Sequence, residues 1–264
     1  MIPTTAKLIN ADGHAFGLEE IKGKPRVSAM PYNYDIAEGN VSGHFSVSKF
    51  GHNSTVGATL EEVWDYSVAY TFLSSASTLY ISSDDNGDGQ AYEVQGLDEN
   101  WEYQLVEVGC SGFTSVALDG LWMRVFRVKN LGNTDNAGNI YISTDADAGG
   151  DGVPDVASGI KAMVTAGFNQ TLMAIWSSPA ASKAYMTRFY ASTSSSKATE
   201  VHLYVRPFGG VFQIKKIITI FEGYSDIIYD FPLKIDAKSD VVIKASAAGG
   251  GGEISAGFDL WYEE

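Results

Sequence analysis

Apolar and polar residues alternate along most of the chain after residue 61, with the period of two that half-buried strands show. Between residues 61 and 150 the alternating runs are short and are bounded by Gly, Asn, Asp or Ser; they cover residues 70–73, 79–81, 92–95, 103–108, 122–128 and 140–142. Six short runs with frequent turn residues predict a first β-sandwich domain over residues 61–150.

A second set of runs begins after residue 169 and covers residues 172–176, 185–191, 201–205, 212–221, 227–232, 241–245 and 256–262. This set predicts a second, jelly-roll-like β-sandwich domain over residues 169–264. The run at 212–221 is apolar enough to be expected at the centre of its sheet. Between the two domains, residues 151–168 are predicted to form a hinge with a short helix at 160–164.

Residues 1–60 have the weakest pattern and are predicted to form an extended N-terminal arm that orders against a partner. The alternative is that they form an ordinary first strand layer of the following domain. The predicted fold class is therefore all-β, with two β-sandwich (jelly-roll-like) domains preceded by an extended N-terminal arm.

Two six-residue segments resemble each other: LYISSD at residues 79–84 and IYISTD at residues 140–145. An acidic, glycine-rich loop follows each segment. One similar hexapeptide does not establish a repeat fold, and we interpret the pair as two equivalent strand-to-loop exits in one sandwich.

The charge of the chain limits its partners. The formal net charge is −14, and twelve Asp or Glu residues but no Lys or Arg lie between Lys49 and Arg124. Such a surface repels phosphate and anionic lipid, so neither nucleic acid nor a membrane is expected as a partner. No secretion signal is expected, because residues 1–10 lack a continuous apolar run after a basic start, and Cys110 is the only cysteine. Synthesis in a reducing cytoplasm is expected.

Catalytic motifs are not found. The segment around Gly23-Lys24 fails as a phosphate loop, and the glycines beside Cys110 and Ser111 have the wrong spacing for a nucleophile elbow. We therefore expect no enzymatic activity, no catalytic residue and no organic cofactor. Carboxylate pairs for glycoside hydrolysis remain open, as does a sugar-stacking platform made by some of the tryptophans Trp101, Trp122, Trp176 and Trp261.

Calcium is the one ion that the sequence favours. Residues 84–89 (DDNGDG) match the start of a calcium loop, in which alternating oxygens converge on the ion, although Gln95 replaces the Glu that an EF-hand requires. Residues 145–155 (DADAGGDGVPD) resemble the Asp-rich calcium turns of extracellular repeat proteins. The candidate ligands are Asp84, Asp88, Asp145, Asp147 and Asp151; the alternative is a pair of solvated turns.

Several motifs resemble those of a family of small virion structural proteins from marine and freshwater tailed bacteriophages. The similar segments span most of residues 57–262; they are residues 57–65, 70–83, 94–98, 137–143, 149–155, 169–173, 205–212 and 256–261. The resemblance implies a component of the virion and no catalytic residues.

The resemblance and the acidic surface together predict a capsid cement or decoration protein on the outside of the phage head. Its expected partners are the major capsid protein and other copies of itself, as a trimer or dimer. A tail or head fibre, or adsorption module, that binds host-surface glycans is the main alternative. A virion-associated polysaccharide-cleaving enzyme is a third.

Overall fold

The computed structural model describes residues 19–21, 24–26 and 31–264, with side chains described from residue 31 onward. The strands in chain order are β1 (Glu19–Ile21), β2 (Lys24–Arg26), β3 (His44–Val56), β4 (Glu61–Glu62), β5 (Tyr80–Ser83), β6 (Ala91–Asp98), β7 (Tyr103–Gly109), β8 (Val116–Ala117), β9 (Trp122–Asn130), β10 (Ile140–Ser143), β11 (Ile160–Val164), β12 (Ile175–Ser177), β13 (Lys183–Thr193), β14 (Thr199–Arg206), β15 (Gln213–Ile220), β16 (Gly223–Ile235), β17 (Asp240–Ala247) and β18 (Gly252–Glu263). One short α-helix, α1 (Tyr32–Ala37), and one 3-10 turn (Ala157–Gly159) complete the described elements. The prediction of an all-β fold is confirmed.

The chain divides into two compact units, Met1–Ser42 and Gly43–Glu264. In the first unit β1 and β2 pair antiparallel, and Ile36 is the buried residue of α1. The second unit contains all the other strands in four sheets, which pair antiparallel throughout.

Two of these sheets belong mainly to the C-terminal half of the second unit. Sheet A has the order β16-β13-β18-β3, and sheet B has the order β12-β17-β14-β15 with β4 added beside β17. Alternation explains these strands: in β13 the buried side chains are those of Ala184 and Met186 and, after a β-bulge, those of Phe189 and Ala191. Sheets A and B enclose one core, which includes Phe189, Leu203, Ile243 and Phe258.

The other two sheets belong to the N-terminal half. Sheet C has the order β11-β10-β5-β8, and sheet D has the order β7-β6-β9. They enclose a second core, which includes Tyr92, Trp122, Ile142 and Met163. The chain therefore has two apolar cores, one in each half in which the sequence predicts a sandwich domain.

The two cores are joined by side chains that cross from one half to the other. Leu97, Trp101 and Phe126 from the N-terminal half belong to the core of sheets A and B, whereas Val242 from β17 belongs to the other core. Residues 43–264 are accordingly one compact unit, and the predicted boundaries of two separate domains are not those of the structure.

A buried ion network reinforces this junction. Asp240 in β17 accepts hydrogen bonds from Arg124 Nε at 2.7 Å, from Arg206 Nε at 3.0 Å and from Ser177 Oγ at 2.6 Å. Arg124 lies in β9 of the N-terminal half, and its guanidinium also stacks 4.6 Å from the centre of the Trp101 ring. Both Asp240 and Arg124 are buried, so the network links the halves through groups withdrawn from water.

The predicted N-terminal arm over residues 1–60 is too long at its C-terminal end, because it includes the strand β3. Residues 44–56 form β3, which pairs with β18 over its length and forms one edge of sheet A. A Cβ atom at Gly51 would overlap the carbonyl oxygen of Val63, so glycine is what allows β3 to pass this close to its neighbour. The sequence pattern missed this strand because its outer face carries the exposed Phe50, while its inward face carries Lys49 and Asn53.

The predicted hinge at 151–168 also needs correction. Residues 160–164 form the strand β11 and not a helix; β11 pairs with β10, and all five of its side chains are buried. A buried, hydrogen-bonded strand cannot serve as a flexible linker. The run at 70–73 is not a strand either, because Tyr70 is held by edge-on contacts with the rings of Trp64 and Phe72 rather than by a ladder of backbone hydrogen bonds.

Candidate functional site

The first acidic loop is used for internal hydrogen bonds. The Asp84 carboxylate accepts from the Asn139 backbone N–H at 2.6 Å, from the Asn139 side chain at 2.8 Å and from the Tyr141 hydroxyl at 3.0 Å. The buried Asp88 carboxylate accepts from Ser83 Oγ at 2.6 Å and from the backbone N–H groups of Ala137 and Gly138 at 2.8 and 2.9 Å. The two carboxylates therefore fasten this loop to the segment that precedes β10.

The second acidic loop is more open. Asp147 accepts hydrogen bonds from the backbone N–H groups of Gly149 at 2.7 Å, Gly150 at 3.1 Å and Gly152 at 2.7 Å. These bonds, the one from Gly152 above all, lower the pKa of the Asp147 carboxyl. Asp151 accepts only from the Val153 N–H, at 3.0 Å, and Asp145 accepts from the Thr144 hydroxyl at 2.8 Å.

The two acidic loops come close together but share no group of metal ligands. Strands β5 and β10, which carry the similar hexapeptides, pair antiparallel with Ser83 opposite Ile140 and Tyr80 opposite Ser143, so the loops that follow them begin at opposite ends of the pair. The second loop returns to the first, because a Cβ atom at Gly152 would overlap the Ser83 carbonyl oxygen. Within the described part of the chain no three His, Cys, Asp or Glu side chains are arranged to hold a metal ion. Calcium binding by the five aspartates stays a prediction.

We predict that any increase in Tm caused by calcium arises from the second loop, and that it is lost in the Asp147→Ala, Asp151→Ala double variant. The reason is that Asp84 and Asp88 fasten the first loop to the segment around β10 and Asp88 is buried, whereas Asp151 is exposed and accepts one hydrogen bond. Asp147 accepts three hydrogen bonds but lies in the same open loop as Asp151. Melting curves with excess Ca²⁺ and with a chelator test this. Identical curves for the unmodified chain would show that both loops are solvated turns.

A second surface is formed by the two neighbouring edge strands β15 and β16 and the turn between them; we call residues 213–235 the open edge. Among the described strands, β15 pairs only with β14 and β16 only with β13, so each has one side without a partner. The open edge has large apolar side chains with at least half of their surface exposed, namely Ile214, Ile217, Phe221, Tyr224, Ile228 and Phe231. Exposed apolar side chains beside unpaired backbone groups are characteristic of surfaces that another chain covers.

The position of β15 corrects a prediction. The apolar run at 212–221 was expected at the centre of a sheet, but β15 lies at the edge of sheet B. Ile218 and Ile220 face the core, whereas Ile214 and Ile217 are each 50% exposed. Lys215 and Lys216 lie on the same strand, and their charges oppose indiscriminate pairing with other edges.

A third feature is a cavity of about 230 Å³ where β3 and β18 of sheet A face sheet D and β12. Aromatic rings form its walls; they belong to Phe45, Tyr103, Phe126, Trp176 and Tyr262. Neighbouring rings are in contact, with centres 5.0 Å apart for Phe45 and Tyr262 and 5.9 Å apart for Trp176 and Tyr262. Lys49 and Arg127 add positive charge to the same cavity.

Sequence reasoning missed this cavity because its aromatic residues are spread between positions 45 and 262. One signal could have identified it. With the period of two of a strand, Lys49 lies on the same face of β3 as Val47 and Gly51. A lysine on the inward face of a strand is normally paired with another group, so its position indicates a partner or a ligand.

The tryptophans named as sugar-stacking candidates differ in their surroundings. Trp101, Trp122 and Trp176 are buried in the two cores. Trp261 is half-buried on the outer face of sheet A, where its ring stacks 4.4 Å from Tyr185 and 5.5 Å from His44. Glu263 accepts a hydrogen bond from the Tyr185 hydroxyl at 3.4 Å. This aromatic row is the one arrangement around these four tryptophans that resembles a sugar-stacking platform.

No helix in the described part of the chain is long and apolar enough to cross a membrane.

No family model and no curated protein matches the sequence. Among solved structures, the chain resembles the PBSX exported protein XepA at 10% identity and a TM-score of 0.19, over 98% of this chain and all of that one.

Two further likenesses are as distant. A putative secreted protein from Parabacteroides distasonis matches at 8% identity and a TM-score of 0.20, over 85% of this chain and 90% of that one. A structure of infectious bursal disease virus, Gx strain, matches at 11% identity and a TM-score of 0.20, over 84% and 77% of the two chains. At these values the likenesses establish neither a family nor a shared fold.

Proposed function

We propose that this chain is a non-enzymatic structural protein of a tailed phage virion, a capsid cement or decoration protein. The observation that carries the proposal is the open edge, because a protein that works by assembly needs a surface that another chain completes. The motif resemblance to phage virion proteins supports it independently. In this proposal the chain is made in the host cytoplasm and binds the outside of the head.

Its mechanism is mass action. A protein that binds only the assembled shell, and bridges neighbouring copies of the major capsid protein, raises the free energy needed to take the shell apart. Enclosed apolar cores and the buried Arg124–Asp240 ion pair, at 2.7 Å, make residues 43–264 a rigid body suited to such a bridge.

The open edge is proposed to bind a second copy of the chain. Residues 183–247 contain nine Lys or Arg against six Asp or Glu, whereas residues 43–182 contain five against seventeen. The open edge itself has no net charge, because it contains three lysines and three acidic residues, namely Lys215, Lys216, Lys234, Glu222, Asp226 and Asp230. It can therefore lie on the acidic half of a neighbouring copy without like-charge repulsion, and head-to-tail contacts of this kind close into a ring, for which we propose a trimer.

The Ile217→Asp and Phe231→Asp variants are each expected to weaken self-association by roughly 30-fold or more, which is about 2 kcal/mol. The reason is that each variant buries a charge in the interface. Ile217 is 50% exposed and Phe231 90% exposed within the chain, so Tm of the dissociated protein should not change. Sedimentation measures the oligomer, and binding to particles that lack the protein measures decoration.

The matched control is Tyr34→Asp, because Tyr34 is 60% exposed and lies in α1, outside both the open edge and the acidic half. This variant should associate as the unmodified chain does. If both open-edge variants still form the oligomer and decorate heads, the open edge is not the assembly surface.

A fibre or adsorption module that binds host-surface glycans is the second candidate, and the aromatic row of Tyr185, Trp261 and His44 favours it. Trp261→Ala should abolish binding to host cells if this function holds. Under the cement proposal the same variant decorates heads normally, so the two functions give opposite results.

A further inference from the structure

Lys49 places a buried amino group where the described part of the chain supplies no counterion. Its side chain is 3% exposed, and its amino group donates a hydrogen bond to the Phe126 carbonyl and lies 5.9 Å from the centre of the Phe126 ring. It makes no ion pair with any residue in the described part of the chain. The charge that acts on it is that of Arg127, which is also positive.

Burial is the main reason that the pKa of Lys49 falls well below its usual value, and Arg127 lowers that pKa further. An apolar side chain at this inward position of β3 would fill the same space without the cost of removing an ammonium group from water. Stability alone therefore does not account for a lysine at this position. An anion bound in the cavity would account for it, because the anion would pair with the Lys49 amino group.

The cavity limits the size and chemistry of such an anion. Its volume of about 230 Å³ is below the roughly 300–1,000 Å³ of pockets that bind drug-sized ligands, so it holds one small molecule. Its walls include the rings of Phe45 and Tyr262, which stack on each other, and the tilted pair of Trp176 and Phe126. Such walls favour a flat or ring-shaped body, whereas Lys49 and Arg127 favour a negative group at one end.

We propose that this cavity binds a small ring-shaped carboxylate, with the carboxylate at Lys49 and Arg127 and the ring between the aromatic walls. Arg127 is half-buried and is oriented by the hydrogen bond that its Nη2 donates to the Ser48 carbonyl at 2.5 Å. The Gln95 side chain supplies a further polar group, and Glu264 disfavours a second negative charge on the ligand. The inference concerns the cavity alone and does not depend on where the chain is located on a particle.

Two sources share this chemistry, a free aromatic acid and a uronic acid residue of a polysaccharide. The probes are benzoate with benzamide as its neutral partner, and glucuronate with glucose as its neutral partner. Calorimetric titration of the full chain is expected to show binding of at least one carboxylate and at least tenfold weaker binding of its neutral partner. The carboxylate that binds shows whether the source is a free aromatic acid or a uronic acid residue of a polysaccharide.

Lys49→Met keeps the length of the side chain and removes its charge. The ligand-free variant is expected to melt no lower than the unmodified chain and to bind the carboxylate at least tenfold more weakly. Arg127→Gln, at a more exposed position, should weaken carboxylate binding without affecting folding, and it provides the test if Lys49→Met does not fold. The proposal is overturned if neither carboxylate binds, if the neutral partners bind as well, or if carboxylate affinity is unchanged in whichever of these variants folds.

Discussion

Deletion of residues 1–55 is expected to unfold the rest of the chain, whereas deletion of residues 1–42 should leave it folded. The longer deletion removes β3, which pairs with β18 through eleven residue pairs. It also uncovers core residues of β18, including Ile254, Phe258 and Leu260. Losing one of four strands from sheet A costs more than the roughly 5–15 kcal/mol by which an ordinary domain is stable.

Circular dichroism during heating distinguishes the two deletions. The 43–264 chain should show one cooperative transition close to that of the full chain, and the 56–264 chain should show none. A cooperative transition in the shorter chain would mean that β3 is dispensable and that the predicted boundary of the arm at residue 60 was correct after all. The 43–264 chain is also the form in which to test whether the first unit anchors the protein to heads.

Asp240→Ala is expected to destabilise the protein by about 3–5 kcal/mol, which lowers Tm by roughly 6–20 °C for a domain of this size. The carboxylate of Asp240 is the acceptor shared by Arg124 and Arg206, and its removal leaves Arg124 charged and buried without a counterion. The whole unit should still melt in one step, because Leu97, Trp101 and Phe126 continue to join the two cores.

The matched control is Asp226→Ala, which breaks a geometrically similar pair at the surface. Arg188 Nε and Nη2 donate to the two Asp226 oxygens at 2.8 and 2.9 Å, but the Arg188 side chain is 45% exposed. Water compensates for the loss of such a pair, so Tm should fall little. Equal losses in the two variants, or two separate melting steps in Asp240→Ala, would contradict the description of residues 43–264 as one unit.

The sequence was informative where apolar and polar residues alternate along a single strand. Alternation predicted β6, β7, β9 and β14, and the similar hexapeptides proved to be the adjacent strands β5 and β10. Composition and these runs were sufficient to predict an all-β fold.

The remaining features depend on pairing between distant parts of the chain, which one sequence does not reveal. The pattern of β3 is obscured because its inward face contains Lys49 and Asn53. The run at 212–221 was expected to be central because the sequence does not show that β15 lacks a neighbour on one side. The junction between the halves depends on Arg124 and Asp240, which are more than a hundred residues apart and individually look like surface residues.

Electron cryomicroscopy of intact particles, prepared with and without this chain, tests the proposed function most directly. The cement proposal predicts density for residues 43–264 on the outer surface of the head at the junctions between capsomers. This density should disappear from particles that lack the chain, and those heads should open at a lower temperature. Density on the tail or on a fibre, with an unchanged head, would contradict the proposal.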